Sequence, residues 1–323
     1  MSQRLRVGVI GVGYLGRIHA SIYARLPTVD LVGVVDTDAE RAGAVAEAAG
    51  CAAFTDPNAL RGQVDAVSVV VPTSDHLTVA RPYLEAGVHM LLEKPVAADA
   101  AAGAEIVALA ERTGAILQIG HLERFNAGVM ALAERIDAPR YIEAQRMGGF
   151  VERATDVDVV SDLMIHDIDI ILALVDADLS DVRAVGSPVL TPHVDIASAR
   201  LEFANGTVAN VVASRVSDRK TRRIRVFQPN SYLSLDFIDQ TLDMAAPATR
   251  SDDGRPEIRR SRIALNPVKP LDREIESFVD CVQQRRRPLV DGRVGLKALE
   301  VALLIHARIA GAAAMPGPAG PDR

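Results

Sequence analysis

The sequence predicts an α/β fold in two parts: a parallel sheet flanked by helices, then an α+β half built on a mostly antiparallel sheet. Three observations lead there. Short, near-continuous Val/Ile/Leu runs alternate with helical stretches from Leu5 to Ile119. A glycine-rich turn, Gly11-Val12-Gly13-Tyr14-Leu15-Gly16, separates the first run from the first helix. Beyond Gly120 the runs alternate apolar with polar residues, as in Thr221-Arg222-Arg223-Ile224-Arg225-Val226-Phe227. Continuous runs are expected of strands buried on both faces, and alternation of strands with one covered face.

Taken in order, Leu5–Ile10 is the first strand, and Ile18–Leu26 has helical spacing. Leu31–Val35 is the second strand. Thr37-Asp38-Ala39-Glu40 follows it with the form of a capping box, in which Thr37 would satisfy the orphan N–H groups of a helix start. Ala66–Val71 is the third strand and stops at Pro72; a helix through Ala80 to Ala86 ends at Gly87. Val88–Leu92 is the fourth, Asp99 caps a long helix ending near Gly114, and Ile116–Ile119 is the fifth. Strand and helix in repetition mean a parallel sheet with right-handed crossovers.

In the second part a helix from about Asn126 to Asp137 leads into Tyr141–Met147, and a further helix covers Asp162–Leu174. Strands are expected at Val182–Val185, Ala197–Phe203, Val208–Ser214, Thr221–Gln228 and Tyr232–Asp236, with Asn205-Gly206 as a hairpin turn. Ala245–Ser261 is polar and carries Pro and Gly, so it reads as a loop; helices return at Asp272–Gln284 and Leu296–Ala312. The domains expected are 1–122 and 123–314, the last helices being able to pack back on the first. Residues 315–323 are expected as a flexible tail, since they hold too few apolar groups to offset their ordering entropy.

Composition excludes several classes. At 323 residues and 49% hydrophobic content the chain can fill two cores. It has no apolar run of bilayer length and no signal-peptide pattern near Met1, so a cytoplasmic protein with no membrane partner is expected. Cys51 and Cys281 lie far apart without a CxxC, which argues for separate thiols rather than a disulfide or a zinc cluster. A net charge of −6 and the absence of Trp give no reason to expect nucleic acid.

The turn Gly11–Gly16 has the form of a dinucleotide-binding fingerprint: Gly11 for the tight turn, Gly13 for close approach of a pyrophosphate, Gly16 for helix–strand packing. The helix N-terminus behind Tyr14 and Leu15 offers N–H groups to the phosphates. Asp36 stands 20 residues after Gly16 (36 − 16), at the end of the second strand. A carboxylate there hydrogen-bonds a ribose 2′-hydroxyl and repels a 2′-phosphate, which favours NAD over NADP, and Arg41 nearby tempers that preference. Thr73 and His76, past Pro72, are counted with the cofactor-binding set, as are Glu93 and Lys94.

Glu93-Lys94-Pro95 follows the fourth strand at the sheet's carboxyl edge, where ligands bind in such folds. A lysine there can hold a substrate hydroxyl and ease its deprotonation. In Asp162-Leu163-Met164-Ile165-His166-Asp167-Ile168-Asp169, Asp162 and His166 are i,i+4 on one helix face, and Asp169 joins it. Histidine titrates near neutrality and can take the hydroxyl proton as hydride leaves. Taken singly, each has a plain alternative: a surface lysine in a turn, a histidine packing a helix.

Together, the fingerprint Gly11–Gly16, Glu93-Lys94-Pro95 and Asp162…His166 in this order resemble the Gfo/Idh/MocA oxidoreductases, over essentially the whole chain apart from the tail. The resemblance implies an N-terminal Rossmann domain and a C-terminal α+β domain with a large, mostly antiparallel open sheet, often used for dimer or tetramer formation. It implies hydride transfer between NAD and a sugar-type secondary alcohol, with the substrate entering between the domains. It makes Lys94 and His166 the catalytic pair and Asp162 a catalytic and substrate-binding residue, with no metal. It also implies that the Lys94-Pro95 bond is cis.

Gly120-His121-Leu122-Glu123-Arg124-Phe125-Asn126 and the Asp162–Asp169 segment further resemble UDP-N-acetylglucosamine 3-dehydrogenases, whose keto product a PLP aminotransferase converts to an amine for lipid A or other surface glycans. That pattern usually has Pro after the Asn; Ala127 stands there instead, which would leave the loop less rigid. Arg124 and Asn126 are the further substrate-binding candidates, although Asn126 could equally cap the next helix. A dehydrogenase of a free polyol such as inositol, and a non-catalytic NAD(H)-binding sensor, are the competing readings. Arg215, Arg219, Lys220, Arg222, Arg223 and Arg225 form the densest basic stretch. Alternation sends these side chains to both faces of a strand, so a solvated or interface role suits most of them better than a shared diphosphate.

Overall fold

The computed structural model describes residues 4–150, 157–248, 257–265 and 268–313. They form two compact units, one from the described residues of Met1–Phe125 with Val268–Leu299, the other from those of Asn126–Pro267 with Glu300–Arg323.

The first unit carries a six-stranded, wholly parallel sheet of order β3-β2-β1-β4-β5-β6. Its strands are β1 (Leu5–Ile10), β2 (Val29–Val35), β3 (Ala52–Phe54), β4 (Ala66–Val69), β5 (His89–Glu93) and β6 (Leu117–Gly120). Helices α1 (Gly16–Arg25), α2 (Ala39–Ala49), α3 (His76–Glu85) and α4 (Ala100–Thr113) make the crossovers. The strand order reverses between β1 and β4, the switch point at which open α/β sheets leave a crevice for ligands. The short β3 was not expected; at three residues, with Ala52 and Ala53 exposed, it has no apolar run to announce it.

Local caps explain the helix ends. Asp99 accepts the Ala102 N–H and starts α4, as expected, and Gly114 ends it in the left-handed region. At α2 the cap is Asp38, which accepts the Arg41 N–H, and not Thr37. One residue decides this, because Asp38 is the last residue with extended backbone before the helix.

Helix α7 (Pro270–Gln284) belongs to this unit, so residues 268–299 of the stretch expected as the second domain, 123–314, group with the first. Helix α8 (Gly292–Ala313) follows it. Ile275, Phe278, Val279 and Val282 of α7 join Val7, Val9, Tyr23 and Leu91 in one buried cluster. The Ile119 N–H donates to Val290, and the Gln118 amide donates to the Glu274 carbonyl, so the returning chain covers the β6 edge.

The second unit holds an eight-stranded sheet of order β14-β13-β12-β11-β7-β10-β9-β8, antiparallel except where β10 runs beside β7. Its strands are β7 (Tyr141–Met147), β8 (Leu179–Ser187), β9 (Ile196–Phe203), β10 (Val208–Ser214), β11 (Thr221–Gln228), β12 (Ser231–Asp236), β13 (Thr241–Pro247) and β14 (Ile258–Ile263). Its helices before α7 are α5 (Ala127–Ala133) and α6 (Ile165–Leu174). One face is buried through alternate residues, among them Ile142, Ala144, Val211, Ile224, Val226, Leu233 and Leu235. Gly206, at φ +83°, makes the hairpin between β9 and β10.

Two expectations change here. The loop read over Ala245–Ser261 is in part sheet, since β13 runs to Pro247 and β14 begins at Ile258. Strand β14 is an edge, Ile-Arg-Arg-Ser-Arg-Ile, almost wholly exposed; its Arg262 forms a two-armed pair with Asp243 on β13. A charged edge strand lacks the apolar alternation that signals a strand, which is also how such edges resist pairing with other chains. The helix expected from Asp162 opens at Val160 with a π turn to Met164 and becomes α-helical at Ile165. Residues 315–323, read as a tail, lie outside the described residues.

Candidate active site

The carboxyl edge of the parallel sheet gathers the first set of residues. Past β1, Gly11 turns the chain at φ +84°, and a β-carbon there would collide with the Val70 carbonyl. A β-carbon on Gly16 would collide with the Gly11 carbonyl, so α1 can start this close to the turn only with glycine. Gly13 differs: nothing stands within 4 Å of the place its β-carbon would take. That open backbone is what a pyrophosphate needs to reach main-chain N–H groups. No side chain caps α1 and its first turn holds no acid, so the helix dipole meets an anion without a competitor. Leu15 is the N-cap position, and Tyr14 is 63% exposed with the Arg17 guanidinium 5.2 Å from its ring centre. The cradle fits a dinucleotide.

Asp36 ends the second strand's exit and is buried. Its carboxylate accepts the Val12 N–H at 2.9 Å, the Asp38 N–H at 3.0 Å and the Arg41 guanidinium at 2.8 Å. Burial pushes its pKa up, but Arg41 and the two N–H groups outweigh this and hold it below the usual carboxylate value. The anion is therefore kept at neutral pH, tied to the glycine turn through Val12.

Beyond β4, Thr73 opens a short 3-10 turn and is half-buried. His76 is buried, with Nδ1 3.3 Å from the Val96 carbonyl and Nε2 3.1 Å from the Val71 carbonyl. Burial lowers its pKa, and the neutral ring, with a single N–H, donates to one of these two carbonyls. Both its nitrogens thus face main chain, a bracing role that the sequence did not announce. Glu93 closes β5 and is buried; Lys94 follows, half-buried, and the Lys94–Pro95 bond is cis. Arg124 lies in the 3-10 turn Leu122–Phe125 after β6, on the same edge.

In the second unit, Asp162 lies on the π turn and His166 in the first turn of α6, both half-buried. The Ile165 N–H reaches back to the Val160 carbonyl, the wide i→i+5 closure that π turns use and that recurs at functional sites. Asp158 fixes the start, accepting the Val160 N–H at 2.7 Å and the Ser161 N–H at 3.0 Å. His306 of α8 lies 3.3 Å from Asp158 and 3.1 Å from the Ser161 hydroxyl.

Asp167, next to His166, forms a two-armed pair with Arg146 of β7, at 3.1 and 2.9 Å, both side chains nearly fully buried. The Arg146 guanidinium sits 5.4 Å from the centre of the Phe237 ring. This pair fixes α6 to the sheet, and sequence reasoning missed it. The signal was there: Arg146 occupies the inward series Ile142, Ala144, Arg146, and a buried cation calls for a carboxylate on the covering helix.

Asn126 caps α5 by accepting the Gly128 N–H at 2.9 Å. In the basic stretch, Arg223 pairs with Asp236 at 2.8 Å, Arg225 with Glu143 at 2.7 Å, and buried Arg215 lies 3.5 Å from Asp195.

Known proteins match this arrangement. The family model described as "Oxidoreductase family, NAD-binding Rossmann fold" matches residues 5–121, and the "GFO/IDH/MocA C-terminal domain" matches residues 130–230. A UDP-N-acetylglucosamine 3-dehydrogenase of Acidithiobacillus ferrooxidans is 41% identical over 306 residues, covering 94% of this chain and 97% of that one. A solved structure of such an enzyme from the same organism superposes with a TM-score of 0.90 at 40% identity, over 95% of this chain and 98% of that chain. An inositol 2-dehydrogenase of Rhizobium meliloti is 27% identical over 92% of this chain and 94% of its own length. With its dinucleotide cradle, its Asp36 and both domain matches, the chain belongs to the Gfo/Idh/MocA family of NAD-dependent oxidoreductases that act on CH–OH groups.

Proposed function

We propose that this chain oxidises the 3-hydroxyl of UDP-N-acetylglucosamine to the 3-keto sugar. The observation that carries this reading is the likeness to a UDP-N-acetylglucosamine 3-dehydrogenase, which extends over 94% of the chain rather than the Rossmann half alone. NAD, when bound, supplies the hydride acceptor. The work of the chain is then to hold the hydroxyl and move its proton. Lys94 places a positive charge beside the reacting oxygen, favouring its alkoxide character as the C–H bond breaks. His166 accepts the hydroxyl proton, and Asp162 holds the sugar in register. Arg124 is a candidate for the sugar or the cofactor, and Asn126 supports its loop as a cap. A C3 ketone on an amino sugar is a substrate for transamination, so a PLP aminotransferase is the natural consumer of the product. The outer face of the large sheet supports a homodimer or tetramer, since Tyr141, Phe227 and Tyr232 form an aromatic row there, with ring centres 5.6 and 4.8 Å apart. A cytoplasmic setting suits the use of NAD and a nucleotide sugar.

The test is the rise in reduced-nicotinamide absorbance at about 340 nm with NAD and UDP-N-acetylglucosamine, in the presence of an aminotransferase and glutamate to draw off the ketone. Lys94→Ala and His166→Ala are each expected to lower kcat by roughly 10²- to 10⁴-fold while NADH still binds. Turnover of myo-inositol but not of the UDP-sugar would transfer the assignment to a polyol dehydrogenase.

A further inference from the structure

A chain of buried polar groups runs through the parallel sheet to the catalytic edge, and the mechanism above does not use it. Tyr23, His19 and Ser68 are fully buried, and Glu93 is 7% exposed. The Tyr23 hydroxyl lies 2.8 Å from the Ser68 hydroxyl, which lies 3.2 Å from His19 Nδ1. On the other side of the ring, His19 Nε2 is 3.4 Å from Glu93 Oε1. The second oxygen of Glu93 accepts the N–H of Lys94 at 3.3 Å. The elements involved are α1, β4 and β5, which the switch point brings side by side.

The carboxyl of Glu93 has little room to move. Gly120, its register partner on β6, carries no side chain, and a β-carbon there would stand 2.9 Å from the Glu93 carboxyl carbon. A buried carboxylate costs several kcal/mol unless it is paired or hydrogen-bonded. His19 is the imidazole that meets it at ion-pair distance, and Ser68 orients that ring from behind, much as an outer partner fixes the ring of a ligating histidine.

We propose that His19 is a positioning residue for the oxidation. Held by Ser68 and Tyr23, it fixes the Glu93 carboxyl against Gly120, and Glu93 in turn fixes the main chain at Lys94, from which the reacting ammonium projects. The inference rests on the role given above to Lys94. His19 touches neither substrate nor cofactor in this account, so its effect falls on the rate of the chemical step rather than on dinucleotide affinity. A misplacement of the acting group by about 1 Å is enough to cost roughly 100-fold in rate.

The experiment compares His19→Ala, His19→Gln, Glu93→Gln, the His19→Ala/Glu93→Gln double variant and Lys94→Ala in the full chain. Each is measured for kcat and KM with UDP-N-acetylglucosamine, for NADH affinity by nicotinamide fluorescence, and for Tm. His19→Ala is expected to lower kcat roughly 10- to 100-fold with NADH affinity within about threefold of wild type. His19→Gln, whose amide N–H can be presented to Glu93 from the place of Nε2, is expected to recover most of that loss. In the double variant, removing His19 is expected to add no more than about twofold to the loss of Glu93→Gln alone, the signature of one residue acting through the other. Independent, multiplying losses overturn the inference, as does a His19→Ala kcat near wild type while Lys94→Ala is inactive. If His19→Ala fails to fold, His19→Asn, whose amide matches Nδ1 but does not reach Glu93 as Nε2 does, carries the same cycle. Near wild-type turnover of Lys94→Ala instead overturns the assignment of Lys94, which separates the two failures.

Discussion

In the parallel-sheet unit the candidate residues come from several separate loops, after β1, β2, β4, β5 and β6, whereas in the antiparallel-sheet unit Asp162 and His166 lie within five consecutive residues. The first set is held by many small ties: the Val12, Asp38 and Lys94 N–H groups, Arg41, and glycines that admit close approach. The second is held by one helix, whose attachment to the sheet includes the buried Arg146–Asp167 pair. Distributed ties make each loss in the first unit modest and local. A nearly fully buried ion pair makes its loss in the second large.

The sharpest break in that comparison is Asp167→Ala. It leaves Arg146 buried without its carboxylate, which costs about 3–5 kcal/mol, whereas replacing both partners with apolar groups of similar volume is often neutral. Urea unfolding of Asp167→Ala and of the Arg146→Met/Asp167→Leu double variant is expected to show this asymmetry. If the single and double variants were equally destabilised, the pair would not be the point of attachment described here.

The parallel-sheet unit has a different weakness, to acid. Burial, and secondarily Arg285, push His89 down to about 4, and its Nδ1 accepts the Ile116 N–H at 2.9 Å, which requires that nitrogen to be unprotonated. An unfolded histidine takes its proton near 6.5, well before the folded one. Between those values the unfolded chain binds more protons, so the contribution is complete above pH 6.5 and is lost as pH falls toward 4. The loss is on the order of 3 kcal/mol over the full window. His89→Gln is expected to flatten that part of the stability–pH curve, read by urea unfolding at a series of pH values.

A smaller effect tests how cofactor choice is distributed. Asp36 is the carboxylate expected to meet the ribose and it holds Arg41, so Asp36→Ser is expected to remove the repulsion of a 2′-phosphate and to release a guanidinium that could meet one. The ratio of NADPH to NADH affinity is expected to rise roughly 10- to 100-fold, in proportion to one charge-assisted hydrogen bond gained. No change in that ratio would show that Arg41 does not reach the ribose.

These ties differ in how far the sequence discloses them. Gly11, Gly13, Gly16 and Asp36 are legible because the chemistry expected of them fixes their spacing along the chain; backbone carbonyls exclude a β-carbon at Gly11 and Gly16, whereas the space at Gly13 is open. Asp162 and His166 are legible as a four-residue spacing, but the π turn beneath Asp162 is not, since it depends on Asp158 and on packing from α8. The His19–Ser68 and Arg146–Asp167 contacts span 49 and 21 residues; the inward position of Arg146 calls for a carboxylate, but no local pattern says which one, and none points from His19 to Ser68. Asp38 displaced Thr37 as a cap because a neighbour decided between similar signals, and charged β14 escaped notice because an exposed edge strand carries no apolar alternation.

The smallest prediction compares backbone strain in the two units. Helix α7 of the first ends at Arg285 with φ +54°, a left-handed conformation normally left to glycine. The second unit has Asn230 at φ +63° in the turn between β11 and β12. Asparagine visits that region readily, and arginine does not. Arg285→Gly is therefore expected to stabilise by about 0.5–1 kcal/mol after the added entropy of the unfolded glycine is counted, and Asn230→Gly by no more than a few tenths. Arg285 also lowers the His89 pKa, so its removal is expected to narrow the acid window as well. A gain at Arg285 at neutral pH with no change in the acid limb would show that the strain is real but that the guanidinium does not act on His89.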